Sequence, residues 1–269
     1  MANQSILVAG AGGRMGRAVT AEILKTPGVA LAGGFERADS PLVGADLGNL
    51  AGLDALGLKV EASPEAGLKR AAALIDFTAP AASVENARAA AAAGVVHILG
   101  TTGFSAEDER AIDTLSKKIP IVRSGNMSLG VNLLAALVEQ AARFLADDYD
   151  IEVFEAHHRE KIDAPSGTAL MLARAAASGR SVDLGEKAVR VRDGQTGPRH
   201  AGDIGFSVMR GGGIIGEHQV HFAGSQEVVT LAHHAIDRGL FAKGAVAAAR
   251  WAVDKPPGLY SMRDVLGLG

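Results

Sequence analysis

The segment EAHHREKIDAPSGTA, residues 155–169, gathers His157, His158, Arg159 and Lys161 and then turns through Pro-Ser-Gly-Thr. A histidine near its ordinary pKa can deliver a proton at neutral pH. Arg159 and Lys161 add positive charge. The turn adds hydroxyls and a glycine N–H at the start of a helix, where a carboxylate binds well. A bound dianion would in turn keep a histidine or lysine beside it protonated. Acid and anion site together suit proton donation to a small di-acid. Metal binding is the competing chemistry. The chain has eight histidines, with pairs at 157/158 and 233/234, but no cysteine and no H-E-x-x-H. It also has no clear helical pair of histidines four apart, so no metal is expected.

A second group of residues suits a dinucleotide. VAGAGGRMG, residues 8–16, places Gly10, Gly12, Gly13 and Gly16 between an apolar strand-like run and a helical pattern. Glycines allow a tight turn and let backbone approach a pyrophosphate at a helix N-terminus. The usual G-x-G-x-x-G pattern would put its last glycine at Met15; here Gly16 follows instead. Glu36 ends the next strand-like run, placed to accept hydrogen bonds from ribose hydroxyls. Arg37 follows it and can pair with a 2′-phosphate and stack on adenine. The Glu-Arg pair therefore implies use of both NADH and NADPH. DFTAP (76–80), GTTGF (100–104) and SGNMS (124–128) close further strand-like runs. Thr78, Gly100, Thr101 and Thr102 are expected on the same ligand-binding edge. Nicotinamide, proton donor and carboxylate clamp add up to a reductase of a small di-acid.

These groups need a scaffold, and the chain supplies one. Its 269 residues are 48% hydrophobic, enough for a substantial core in one large or two smaller domains. A net charge of −3 gives no reason to expect nucleic acid or a membrane surface as partner. MANQSILVAG lacks a basic stretch followed by a long apolar run, and no apolar run approaches the ~20 residues of a membrane span. A cytoplasmic location is expected. Apolar runs at 5–10, 29–36, 73–78, 95–103 and 120–125 alternate with helical patterns at 14–26, 80–94 and 105–118, as in a parallel sheet with crossover helices. Ser105 and Asp108 predict a capping box. After residue 128 the pattern changes to a long helix, a strand over 149–158 and a helix over 166–178. Runs at 205–211, 217–224 and 227–235 follow, joined by glycine-containing links that predict antiparallel hairpins. The expected fold is a Rossmann-like α/β domain over 1–127 and an α+β domain over 128–237 with a mixed or antiparallel open sheet. The segment 238–269 is expected to return to the first domain.

VAGAGGRMGR, DFTAP, GTTGF, EAHHREKIDAPSGTA, GEHQVHFAG and PGLYSMRDVLGL resemble the dihydrodipicolinate reductase family nearly end to end. The His-His-x-x-Lys-x-Asp-Ala-Pro-Ser-Gly-Thr string is the specific part; the glycine loop alone is not. The resemblance implies that His157 is the proton donor and Lys161 the second catalytic group. It implies that His158, Gly167 and Thr168 hold a substrate carboxylate. It places Gly10, Ala11, Gly12, Gly13, Arg14 and Met15 on the pyrophosphate, and Glu36 and Arg37 at the ribose. Gly100, Thr101, Thr102, Ser124, Gly125, Asn126 and Met127 are implied to surround the nicotinamide. Met127 stands where the family often has phenylalanine, and Ala79 where some members have arginine. The substrate implied is a cyclic imine dicarboxylate, and the assembly a homotetramer joined through the second domain. Two other readings share part of these features: another two-domain dehydrogenase of amino-acid metabolism, and a nucleotide-sensing module without catalysis. The first gives no reason for the His-His-x-x-Lys string, and the second none for intact proton donors.

Overall fold

The computed structural model describes residues 4–145 and 147–268. In chain order the elements are β1 (Gln4–Ala9), α1 (Arg14–Lys25), β2 (Val29–Phe35), α2 (Leu47–Leu50), α3 (Glu65–Leu68), β3 (Ala73–Asp76), α4 (Pro80–Ala93), β4 (Val96–Leu99), α5 (Ala106–Ser116) and β5 (Pro120–Arg123). There follow α6 (Leu129–Phe144), β6 (Asp150–His157), α7 (Gly167–Gly179), α8 (Leu184–Lys187), β7 (Ala188–Val189), β8 (Ile204–Arg210), β9 (Glu217–Ala223) and β10 (Val228–His234). The chain ends in α9 (Gly239–Ala252), β11 (Gly258–Tyr260) and α10 (Met262–Leu266). It forms two compact units, one of Met1–Leu129 with Gly239–Gly269 and one of Gly130–Arg238. Among the described residues no helix is long and apolar enough to cross a membrane.

The first unit is a parallel sheet in the order β11-β5-β4-β3-β1-β2. Its inner strands β3 and β4 are buried on both faces, which is why they read as continuous apolar runs. Ile6, Val8, Ile75 and Ile98 face one core with Val19 and Ile23 of α1 and Ala245 and Ala249 of α9. Leu7, Ala9, Leu74 and Leu99 face the other with Val84 and Ala87 of α4 and Ile112 of α5. Helix α5 begins at the expected capping box, with Ser105 Oγ accepting from Asp108 N–H and Asp108 accepting in return. The edge strand β11 was not foreseen. Three residues are too short a run to signal a strand, and pairing with β5 orders them.

The second unit carries the sheet order β10-β9-β6-β8-β7. Of the hairpins expected over 205–235, only β9 with β10 forms. β8 instead lies parallel to β6, with Ile151 beside Ile204 and His157 beside Arg210, and β9 runs antiparallel on the other side of β6. The physical reason is burial. β6 presents Ile151 and Val153 to the core formed with α6 and α7, so its backbone is satisfied only with a strand on each side. Ile204 and Phe206 of β8 and Val220 and Phe222 of β9 complete that apolar face.

Candidate functional site

In the first unit the glycine loop joins β1 to α1. Gly10 has φ +60°, the left-handed region that favours glycine. A Cβ at Gly16 would lie 2.1 Å from Gly10 O and 2.7 Å from Ala11 Cα. Gly16 therefore takes the close-packing role that the usual pattern gives to position 15, and Met15 is half-buried against the core. No side chain caps the N-terminus of α1 at Gly13, and Arg14 is exposed in its first turn. Glu36 Oε1 accepts from Gly12 N–H at 2.9 Å, so the acid at the end of β2 also tethers the loop. Ala11 N–H donates to Phe35 O at 3.2 Å. Arg37 is exposed, with Nε 3.6 Å from Asp39 Oδ1. A cleft of about 600 Å³ is lined by Gly10, Gly13, Glu36, Arg37, Thr78 and Asn86. An uncapped helix start, glycines that tolerate no side chain and an acid at the ribose position fit a dinucleotide.

The floor of this cleft is a polar network that the sequence did not announce. Asp76, fully buried at the end of β3, accepts from Thr78 N–H at 2.8 Å, Thr78 Oγ1 at 2.7 Å and Asn86 Nδ2 at 2.9 Å. His97 Nε2 lies 3.4 Å away. Burial raises the Asp76 pKa, but His97, Thr78 and Asn86 outweigh it and hold the carboxyl at about 2. Thr78 Oγ1 meets Ser83 Oγ at 3.2 Å, and Ser83 Oγ meets Thr101 Oγ1 at 2.8 Å. Thr101 thus faces inward, while Thr102 is exposed. A Cβ at Gly100 would sit 2.2 Å from Phe77 Cε1. Ser124 Oγ donates to Asn126 O, closing the turn that holds Gly125. Met127 is 1% exposed, its side chain packed in the core beside α9. A Cβ added at Gly244 would clash with Met127 O, so glycine lets α9 pack closely against this turn.

In the second unit the inward row of β6 runs Ile151, Val153, Glu155, His157, and the apolar face becomes polar at its end. His218 of β9 and Arg210 of β8 sit beside that end, in register with Glu155 and His157. Glu155 Oε2 meets His157 Nδ1 at 2.6 Å and accepts from Arg210 Nη1 at 2.8 Å. Glu155 Oε1 accepts from Arg210 Nη2 at 2.8 Å and from Ser166 N–H at 3.0 Å. Burial raises the Glu155 pKa, but Arg210, His157 and Ser166 together hold it below the usual carboxylate value. Burial lowers the His157 pKa; Glu155 opposes this, and Lys161 and Arg210 add to it. His218, whose ring meets that of His157 edge-on at 5.1 Å, is pushed down to about 3, first by burial and then by His157.

His158 follows the end of β6, half-buried, and Arg159 is exposed. Lys161 Nζ donates to both oxygens of Asp163, at 2.7 and 2.9 Å. Ser166 caps α7: its Oγ accepts from Ala169 N–H at 3.1 Å and meets His218 Nε2 at 3.0 Å. The Ser166 hydroxyl is thereby committed, and the exposed Gly167 and half-buried Thr168 begin the helix. The structure thus brings His157, His158, Lys161 and the α7 start to one end of the second unit's sheet. Sequence reasoning missed Glu155, Arg210 and His218. For Glu155 a signal existed, since it stands two residues before His157 on one strand and so shares its face. For Arg210 and His218 no local signal existed, because only the strand pairing brings them there.

The family model for the N-terminal part of dihydrodipicolinate reductase matches residues 4–127, and that for the C-terminal part matches 130–266. The chain is 54% identical over 268 residues to the 4-hydroxy-tetrahydrodipicolinate reductase of Rhodopseudomonas palustris strain BisB18, covering 100% of this chain and 99% of that one. It is 55% identical over 269 residues to the enzyme of the same name from Afipia carboxidovorans, with the same coverage. Among solved structures, a dipicolinate-bound dihydrodipicolinate reductase from Paenisporosarcina sp. TG-14 shares the fold with a TM-score of 0.78 at 21% identity, over 97% of this chain and 99% of that one. With both halves matched by the family's models and full-length relatives above half identity, the chain belongs to the dihydrodipicolinate reductase family.

Proposed function

We propose that this chain catalyses the NAD(P)H-dependent reduction of 4-hydroxy-tetrahydrodipicolinate to tetrahydrodipicolinate, a step of lysine and diaminopimelate biosynthesis. The observation that carries this is the Glu155-bound His157 standing with Lys161 beside the start of α7, in a chain of this family. Gly10 to Met15 hold the pyrophosphate at the start of α1, and Glu36 and Arg37 hold the ribose end. Gly100, Thr101, Thr102 and Ser124 to Met127 border the nicotinamide. The 4-hydroxyl of the substrate leaves as water, giving the unsaturated ring, and the bound cofactor would supply a hydride to its C4.

The protein's own share is charge and position. One substrate carboxylate rests on the Gly167–Thr168 turn, where the helix dipole favours an anion. Lys161 and His158 also hold the di-acid, and Lys161 exchanges Asp163 for a substrate carboxylate. The dianion raises the pKa of His157, which burial had lowered, so the imidazolium is present when needed. His157 then protonates the carbon next to C4. We assign a homotetramer, supported by β10, which exposes Val228, Thr230, Ala232 and His234 on a sheet whose α6 and α7 pack on its other face. A cytoplasmic location goes with this metabolic role. The test is loss of nicotinamide absorbance with enzymatically made substrate. Turnover with NADH and NADPH is expected; another dehydrogenase or a non-catalytic sensor would show none.

A further inference from the structure

Glu155 is a buried carboxylate whose four acceptor positions are all filled. Arg210 takes one site on each oxygen, Ser166 N–H takes the second site on Oε1, and His157 Nδ1 takes the second on Oε2. An ionised carboxylate can only accept, so the proton between it and the imidazole belongs to Nδ1. The reactive nitrogen of His157 is then Nε2. The surroundings agree: a Cβ added at Gly216 would lie only 3.1 Å from Nε2. Glycine there keeps the approach to Nε2 open. The same carboxylate also holds the N–H of Ser166, the residue that caps α7. The candidate proton donor and the candidate carboxylate clamp are therefore fastened to one side chain.

We propose that Glu155, braced by Arg210, is a positioning residue that fixes the Nδ1–H form of His157, aims Nε2 at the substrate and sets its distance from the start of α7. This rests on the reading of His157 as proton donor. The groups facing the ring are Glu155 on its own strand, Arg210 on β8, His218 on β9 and Lys161 on the following loop. Of these only Glu155 is negative, so its loss leaves the imidazolium without its one favourable charge. In Glu155→Gln, Arg210 claims the amide oxygen and the amide NH2 faces His157, which forces the opposite tautomer.

The test begins with nitrogen-15 NMR of histidine-labelled full-length protein, with His157→Gln used to assign the resonance. Neutral His157 protonated on Nδ1 is expected; protonation on Nε2 would overturn the proposal. In Glu155→Gln the tautomer should invert and kcat should fall by ~10²-fold or more, the scale of a misoriented catalytic histidine. KM for NADPH should not move, and the alkaline limb of the kcat–pH profile should shift to lower pH. A wild-type tautomer and pH profile in that variant would overturn the proposal. Glu155→Gln/Arg210→Met removes the stranded guanidinium if the single variant fails to fold, and the same outcomes apply. If His157→Gln retains normal kcat, the proton-donor reading fails, while the tautomer still decides whether Glu155 governs the ring.

Discussion

Substitution of Arg37 should separate the two cofactors. The Arg37 side chain is 79% exposed and already lies 3.6 Å from Asp39. A charge-assisted bond from guanidinium to a 2′-phosphate contributes ~1.5–3 kcal/mol. The exposed pair with Asp39, given up on binding, is worth ~0.2–1 kcal/mol. The net is about 1–2 kcal/mol, so Arg37→Ala should raise KM for NADPH roughly tenfold. KM for NADH should change little. Asp39→Asn should lower KM for NADPH, because it frees Arg37 and removes an acid. Glu36→Gln is more informative than truncation, since a glutamine oxygen can still accept from Gly12 N–H and keep the loop in place. It removes only the charge, so it should favour NADPH over NADH. In the wild type, KM values for the two cofactors should lie within about tenfold, a difference of ~1.4 kcal/mol. Steady-state kinetics at low and high salt provides the assay; the Arg37 effect should shrink as salt screens an exposed charge. Equal shifts for NADH and NADPH on Arg37→Ala would place the ribose end elsewhere.

Lys161→Ala should weaken inhibition by pyridine-2,6-dicarboxylate by ~10–100-fold, since it removes a charged donor and leaves Asp163 unpaired beside the anion; cofactor affinity should hold, and unchanged inhibition would show that Lys161 does not touch the di-acid. Asp76 is held at about 2, below the ~3.9 of an unfolded chain, so its contribution of about 2–3 kcal/mol is full above pH ~5 and is lost as pH falls through ~4 toward 2. Asp76→Asn should lower stability at neutral pH by that amount and flatten denaturant midpoints between pH 4 and 2; an unaltered acid limb would count against the network.

What the sequence disclosed was what local pattern encodes. Gly10, Gly13 and Gly16 around one turn, the Ser105–Asp108 cap and the alternation of strand and helix all lie within short windows, and the βα order leaves few sheet topologies. The Gly167 helix start was legible for the same reason. What stayed hidden depends on pairing between distant segments. β8 and β9 read as neighbours because they are close in sequence, yet the two apolar faces of β8 and β9 are needed on either side of β6. Arg210 and His218 reach Glu155 only through that register.

The most direct test is the effect of His157→Gln on turnover of the enzymatically made substrate. Proton donation by His157 predicts a fall in kcat of ~10²–10⁴-fold with a milder change in KM. Near-normal kcat in that variant would contradict it.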